Sequence, residues 1–412
     1  STGDSNVAVG NCALAVNTAS NNTAVGTSAL IANTTASNNV AVGQSALTSN
    51  TTGNDLVAVG CGALNNNTTA PDNIAVGYQS QYNTTTGCEN VSMGWQSMVS
   101  NTTGDGSTAV GFSSLKNNTT CSNNTAVGSD AMCGNGTISG TSNVAMGHAA
   151  LRCLTSGSEN TTVGYYAGLK NSTASCNSFF GTCAGYLTTT GGSSIAMGYA
   201  SLDANTTGGN NVALGANALS ANTTAGGNTA VGSNASIQSS TGHSNSSVGF
   251  CAQYNVTTGC CNTSIGFKAG CISSTGNNNA SLGHTAMPST FDADNQITLG
   301  NADNNNLRCA DTSISTLSDL RDKTNVEDIP HGLDFINALR PVKFDWNARD
   351  GSRVGKKDYG FIAQELDQVE KDFDSAEYTR LVHKDNPDKW EADPMKTYPI
   401  LIKAIQELTA RV

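Results

Sequence analysis

A glycine that follows an apolar residue recurs along most of this chain, and its spacing constrains the fold more than any other feature. It stands at Gly10, Gly26, Gly43, Gly60 and onward to Gly283 and Gly300. Of the seventeen intervals, fifteen are 17 residues, one is 16 and one is 19. A representative unit is Asn39-Val40-Ala41-Val42-Gly43-Gln44-Ser45-Ala46-Leu47, closed by Asn50-Thr51-Thr52-Gly53-Asn54. Val40 and Val42 alternate with Ala41, which gives a short strand one apolar face. The glycine permits a bend or a close backbone approach. Ala46-Leu47 supplies a second apolar contact, and the Asn-Thr-Thr-Gly segment has turn chemistry. Each unit is thus expected to make two short strands and two turns. One 17-residue unit cannot bury a core alone, but stacked units cover one another's open edges. Residues 1–300 are therefore expected to form an all-β repeat solenoid or β-roll rod. At roughly 4.8 Å per coil it would be about 85 Å long. The apolar content per coil is small, which predicts an oligomer, a homotrimer, whose chains bury the Ala-Leu face side by side.

Charge divides the chain in two. Residues 1–300 carry ten Asp or Glu and four Lys or Arg, whereas residues 301–412 carry twenty-one and sixteen. Both parts are mildly acidic and neither has a basic stripe, so no nucleic-acid partner is expected. No run of about 18 apolar residues is present, so no membrane span is expected. The chain starts at Ser1 with neither a methionine nor a signal-peptide pattern, as a processed product or a fragment would. Twelve of the thirteen cysteines lie in the repeat, many near turns, among them Cys88, Cys121, Cys176, Cys260 and Cys261. With no CxxC pair a metal site is not expected. Disulfides between neighbouring coils or chains, and hence an extracellular or virion-surface setting, are. No cofactor is implied.

An asparagine recurs seven residues after many of the glycines. Its plain reading is a ladder of turn asparagines bonding up the stack. Asn33, Asn50, Asn67, Asn101, Asn118, Asn205 and Asn222 also head Asn-x-Ser/Thr sequons, which makes them candidate glycosylation sites. The acids of the repeat are isolated in sequence, so the carboxylate pair of a glycosidase is not expected there.

After Gly300 the pattern changes. Residues 301–317, with Ile314 and Leu317 lightly alternating, read as a connector. Pro330 is expected to open a helix with Leu333, Ile336 and Leu339 on its apolar side, stopped by Pro341. Val342, Phe344 and Trp346 alternate as a half-buried strand, and Asp350-Gly351-Ser352 turns the chain. A second helix carries Ile362, Leu366 and Val369 on one face. Residues 372–394 read as short strands and loops. Leu401, Ile405, Leu408 and Val412 have the 4-3-4 spacing of a coiled-coil seam. Residues 318–412 are thus expected to be a small α/β domain ending in a coiled-coil helix.

Four blocks of this region stand in an informative order: Ser318-Asp319-x-Arg321-x-Lys323-x-Asn325, Leu339-Arg340-Pro341-Val342-x-Phe344-x-Trp346, Tyr359-Gly360-Phe361-Ile362-Ala363-Gln364-Glu365 and Ile402-x-Ala404-Ile405-Gln406-Glu407-Leu408. Together they resemble the intramolecular chaperone domain of endosialidases and related viral and phage tail fibres. The repeat itself resembles the β-roll heads of trimeric autotransporter adhesins, though its unit is longer. The first resemblance implies a domain that trimerises, templates a preceding β-rich fibre and then cuts itself off. It implies Ser318 as nucleophile, Lys323 as its base, Leu317-Ser318 as the bond cut, and Asp319, Arg321 and Asn325 as residues that order the loop. On an α-helix, side chains five residues apart lie about 140° apart, so a turn or a contact between chains has to bring Ser318 and Lys323 together. The only chemistry expected is this autoproteolysis. The implied protein is a trimeric fibre or spike for surface attachment, with a cell-surface or glycan receptor. A secreted or cell-surface filament built with the same chaperone is the alternative, and a glycan depolymerase fibre is less favoured.

Overall fold

The computed structural model describes residues 3–304, 318–349 and 353–411. They form two compact units, Ser1–Leu299 and Gly300–Val412. The first is a long parallel β-solenoid. Eighteen three-residue strands, β1 (Val7–Val9) to β18 (Ile297–Leu299), occur once per repeat. Each lies parallel to the next with no slip: Val40, Ala41 and Val42 face Val57, Ala58 and Val59, which face Ile74, Ala75 and Val76. A coil has one strand rather than the two expected. The repeat glycine ends the strand, and Ser45 (φ 57°) and Leu47 (φ 51°) then turn the chain through left-handed conformations, so Ala46-Leu47 lies in a turn.

The glycine column has a direct steric cause. Gly43 has φ +134°, and a Cβ there would stand 2.5 Å from the carbonyl oxygen of Gly60 in the next coil. Only a residue without a side chain lets the coils stack this closely.

The core is thin and partly polar. Strand-centre Ala41, Ala58 and Ala75 are fully buried, with Ala46, Leu47, Ala63 and Leu64 beside them. The Ala-Leu pair is therefore consumed within each chain and is not available to a neighbour, contrary to expectation. Val40 and Val42 point the other way and are only half-buried. The core keeps its volume by exchange. Phe179 replaces the strand-centre alanine, and Gly168 and Gly185 stand where other coils carry leucine. A Cβ at Gly185 would be 2.4 Å from the Phe179 ring.

The recurring asparagines are interior. Asn33, Asn50, Asn67, Asn101, Asn118, Asn205 and Asn222 are fully buried. Asn50 Nδ2 donates to Asn33 Oδ1 (3.2 Å) and to Gly53 O (2.9 Å), and Asn67 Nδ2 donates to Asn50 Oδ1 (3.1 Å). A glycan on Nδ2 of any of these seven would have to replace such bonds inside the coil, so the geometry favours the ladder over glycosylation. Asn135 differs, because the 19-residue coil displaces it to the surface and buries Ile138 instead. A second ladder, not anticipated from sequence, precedes the strands. Asn39 Nδ2 donates to Gly53 O (3.0 Å), and Asn39 Oδ1 accepts from the Leu56 amide (3.0 Å). Both ladders supply partners for buried backbone groups that water cannot reach.

All twelve described cysteines are free thiols, so no disulfide joins neighbouring coils among the described residues. No two stand at the same position of adjacent coils: Cys121 stands ten residues after its glycine and Cys133, in the next coil, five after its own. Cys309 lies outside the described residues.

The second unit is built around Phe335, Leu366, Val369, Leu381 and Ile400. Helix α1 (Leu333–Ala338) starts three residues beyond Pro330, capped by Gly332; Phe335 is its fully buried residue, and Ile336 and Leu339 of the expected stripe pack half-buried against the same core. Strand β19 (Val342–Asp345) alternates half-buried and exposed as expected, and pairs antiparallel with β20 (Lys357–Gly360). Helix α2 (Ala363–Asp372) follows, then the single turn α3 (Ala376–Thr379) and a short antiparallel pair, β21 (Val382–His383) with β22 (Glu391–Ala392). Helix α4 (Tyr398–Thr409) buries Ile400 and Ala404. The Asp350-Gly351-Ser352 turn, Val412 and most of the 301–317 connector, including Ile314, lie outside the described residues.

Candidate self-cleavage site

Ser318 opens the described stretch 318–349 of the second unit. Asp319, in extended conformation, caps a 3-10 turn, Leu320–Asp322. Its carboxylate accepts from the Arg321 amide (2.9 Å) and pairs with the Arg321 guanidinium (2.6 Å). These contacts, side chain first, hold the Asp319 carboxyl below the usual carboxylate range. Lys323 closes the turn, its amide donating to Leu320 O (3.2 Å), and resumes extended backbone. Asn325 then takes a left-handed conformation (φ 54°), which asparagine tolerates better than most residues.

The turn does what a helix would not. Lys323 Nζ lies 2.7 Å from Ser318 Oγ and 3.4 Å from Ser318 O. The five-residue spacing is closed within one chain, so no contact between chains is needed to bring the two groups into hydrogen-bond reach. Arg321 is engaged by Asp319. Ser318, Arg321, Lys323 and Asn325 are all exposed, and Asp319 is half-buried. Leu317, on the acyl side of the expected scissile bond, lies outside the described residues.

Behind the turn, α2 organises the rest. Asp367 is buried, with Lys384 against one oxygen and Lys371 2.9 Å from the other. Lys384 and then Lys371 hold its carboxyl below the usual range. Glu370, also buried, accepts from Thr379 Oγ1 (2.6 Å) and from the Leu381 amide (2.5 Å). An Arg340–Glu365 ion pair joins the second sequence block to the third. Glu407 of α4 accepts from the Leu333 amide (2.8 Å) at the start of α1. Asp367 and Glu370 escaped the sequence reading, since nothing in the spacing marks them as buried.

Residues 318–376 match the family model for the chaperone of endosialidase. The matched segment begins at Ser318 and spans the first three of the four blocks. The fourth, on α4, lies beyond it. No curated protein and no solved structure matches the chain. A segment similar to this chaperone family, following a β-solenoid in the chain, fits a fibre or spike protein. Among the described residues no helix is long and apolar enough to cross a membrane.

Proposed function

We propose that the chain is a subunit of a homotrimeric fibre for surface attachment, assembled by its C-terminal chaperone domain, which then cuts the Leu317-Ser318 bond. Ser318 Oγ attacks the Leu317 carbonyl carbon as Lys323 takes the hydroxyl proton, the Leu317 C–Ser318 N bond breaks as that proton passes to the leaving Ser318 amine, and water hydrolyses the resulting ester to free the Leu317 carboxyl and restore the Ser318 hydroxyl. The observation that carries this reading is the 2.7 Å contact between Lys323 Nζ and Ser318 Oγ. Asp319 and Arg321 brace the turn that makes it, and Asn325 ends that turn.

A lysine acts as a base only without its proton, and removal from water favours that state. In a single chain Ser318 and Lys323 are exposed. The dyad is thus aligned in the single chain but wet, and packing of three chains would dry it. This ties cutting to assembly without asking assembly to bring the groups together. Helix α4 supports the trimer. Its inner residues Ile400 and Ala404 are buried, while Leu401, Ile405 and Leu408 form an exposed 4-3 row suited to a short coiled coil.

Intact-mass measurement of assembled wild type beside Ser318→Ala and Lys323→Arg tests the reading. Wild type should yield two fragments that meet at Leu317-Ser318, and both variants should stay whole, since arginine keeps the charge but cannot serve as the base. A wild-type assembly that stays at full length would refute the cleavage.

A further inference from the structure

The outward face of the solenoid strands carries two columns, and while the first strand residue is Thr or Ser in eight coils, the last is strictly apolar. The last residue of every strand, just before the repeat glycine, is Val, Met, Phe, Leu or Ile in all eighteen coils, without one polar exception. The strand-centre residue, which faces the core, is Ala in most coils, Phe179 in one, and Ser or Thr in the others. Yet the outward column meets solvent in the single chain: Met93 is 45 % exposed, Met146 42 % and Ile265 48 %. Soluble chains rarely leave a continuous apolar strip in water.

We infer that this column is the face along which copies of this chain pack, parallel and coil against coil. The inference rests on the reading that the rod is an oligomer, and names the surface that makes it one. Two arguments select a second copy as occupant. A partner has to offer apolar groups at the coil spacing over eighteen successive coils, and this chain itself does so. The strand face that carries this column is also large enough. Three strand residues are about 10 Å wide and eighteen coils about 85 Å long, hence roughly 800 Å² per chain, the share each partner contributes to a standard specific interface.

The neighbouring column, just after the glycine, carries exposed aromatics: Tyr78, Trp95 and Phe112 in three successive coils, and later Phe250 and Phe267. Trp95 and Phe112 stack at 4.8 Å with planes 5° apart, and Phe250 and Phe267 at 5.5 Å and 13°. Their ring faces are taken by one another along the stack and mainly edges look outward. Sugars bind aromatic faces, so this column suits packing at the margin of the interface better than glycan stacking.

A photo-activated benzophenone side chain placed singly at Met93, Met146 or Met197 of the full chain tests this, with Thr52, Thr103 and Thr207, exposed in the turns, as controls. The methionine positions should give covalent dimers of the chain whose cross-linked peptides come from the same coil or the next. The threonine positions should give none. Cross-links from the threonine set alone, or none from the methionine set in a preparation of oligomeric mass, would overturn the choice of face. Links from Met146 to distant coils would overturn the parallel register. Capture of a different molecule by the methionine set, with no chain-to-chain link, would overturn the choice of occupant. A wild-type chain of monomeric mass would instead refute the oligomer itself.

Discussion

The solenoid and the C-terminal unit satisfy buried polar groups in opposite ways. In the solenoid most contacts have copies. Asn50 bonds to Asn33 on one side and is bonded by Asn67 on the other, and the same exchange is available wherever the ladder continues. In the C-terminal unit each contact is singular. Glu370 binds the Leu381 amide and the Thr379 hydroxyl, and Glu407 binds the Leu333 amide. Interchangeable contacts hold coils together but cannot choose between registers, because a slip by one coil recovers nearly all of them. Singular contacts can choose. The comparison gives a physical reason for a repetitive fibre to be assembled from a non-repetitive domain at one end.

The sharpest way to break this contrast is through glycine. At Gly60 the backbone has φ +138° and a Cβ would sit 2.3 Å from Gly77 O, whereas at Gly355 a Cβ would meet nothing within 4 Å. Gly60→Val should cost the surrounding coils about 3 kcal/mol or more, seen as lost amide-exchange protection over several coils. Gly355→Ala, with open space for its Cβ but a left-handed backbone (φ +79°), should cost about 1–2 kcal/mol. Equal losses at the two sites would contradict the stacking account.

The buried polar groups should differ by less. Glu370→Ala leaves the Leu381 amide without its acceptor and should cost about 2–3 kcal/mol, spread over the whole C-terminal unit. Asn50→Ala removes one rung and should cost about 1–2 kcal/mol, confined to its own and adjacent coils. Exchange protection mapped by segment separates the global loss from the local one.

Acid should give the smallest effect, with opposite signs in the two regions. The Asp367 carboxyl is held below its ordinary value by Lys384 and Lys371. Its stabilisation is present above about pH 4 and is lost as pH falls through the lowered folded value. Burial pushes the Asp203 carboxyl up. Its coil is destabilised while the group is charged and gains stability as pH falls through the raised value towards about 4. Segment-resolved exchange between pH 7 and pH 3 should show α2 loosening while the coil around Asp203 does not.

Much of this was legible in the sequence, for reasons that differ by residue. The 17-residue period exposed the solenoid because only stacking explains a glycine of fixed phase. Which face of the strand turns inward was not legible. Val40-Ala41-Val42 alternates either way, and the intuition that larger residues go inside fails where the coil is too thin for them. The second asparagine ladder stayed hidden because asparagine before a strand also reads as turn chemistry. At the candidate cleavage site the four blocks named the residues, but five-residue spacing said nothing of contact. The 3-10 turn capped by Asp319 supplied it. Asp367 and Glu370 look like ordinary surface charges on α2 until the 375–384 segment covers them.

The central claim is that the dyad is aligned in one chain and becomes active in the assembly. It is tested most directly by refolding dissociated full-length chains over a hundredfold range of concentration and following the cut by intact mass. The account predicts that cutting slows steeply on dilution and that product appears only in fractions of oligomeric mass. The same rate at every concentration, with cut monomer accumulating, would contradict it.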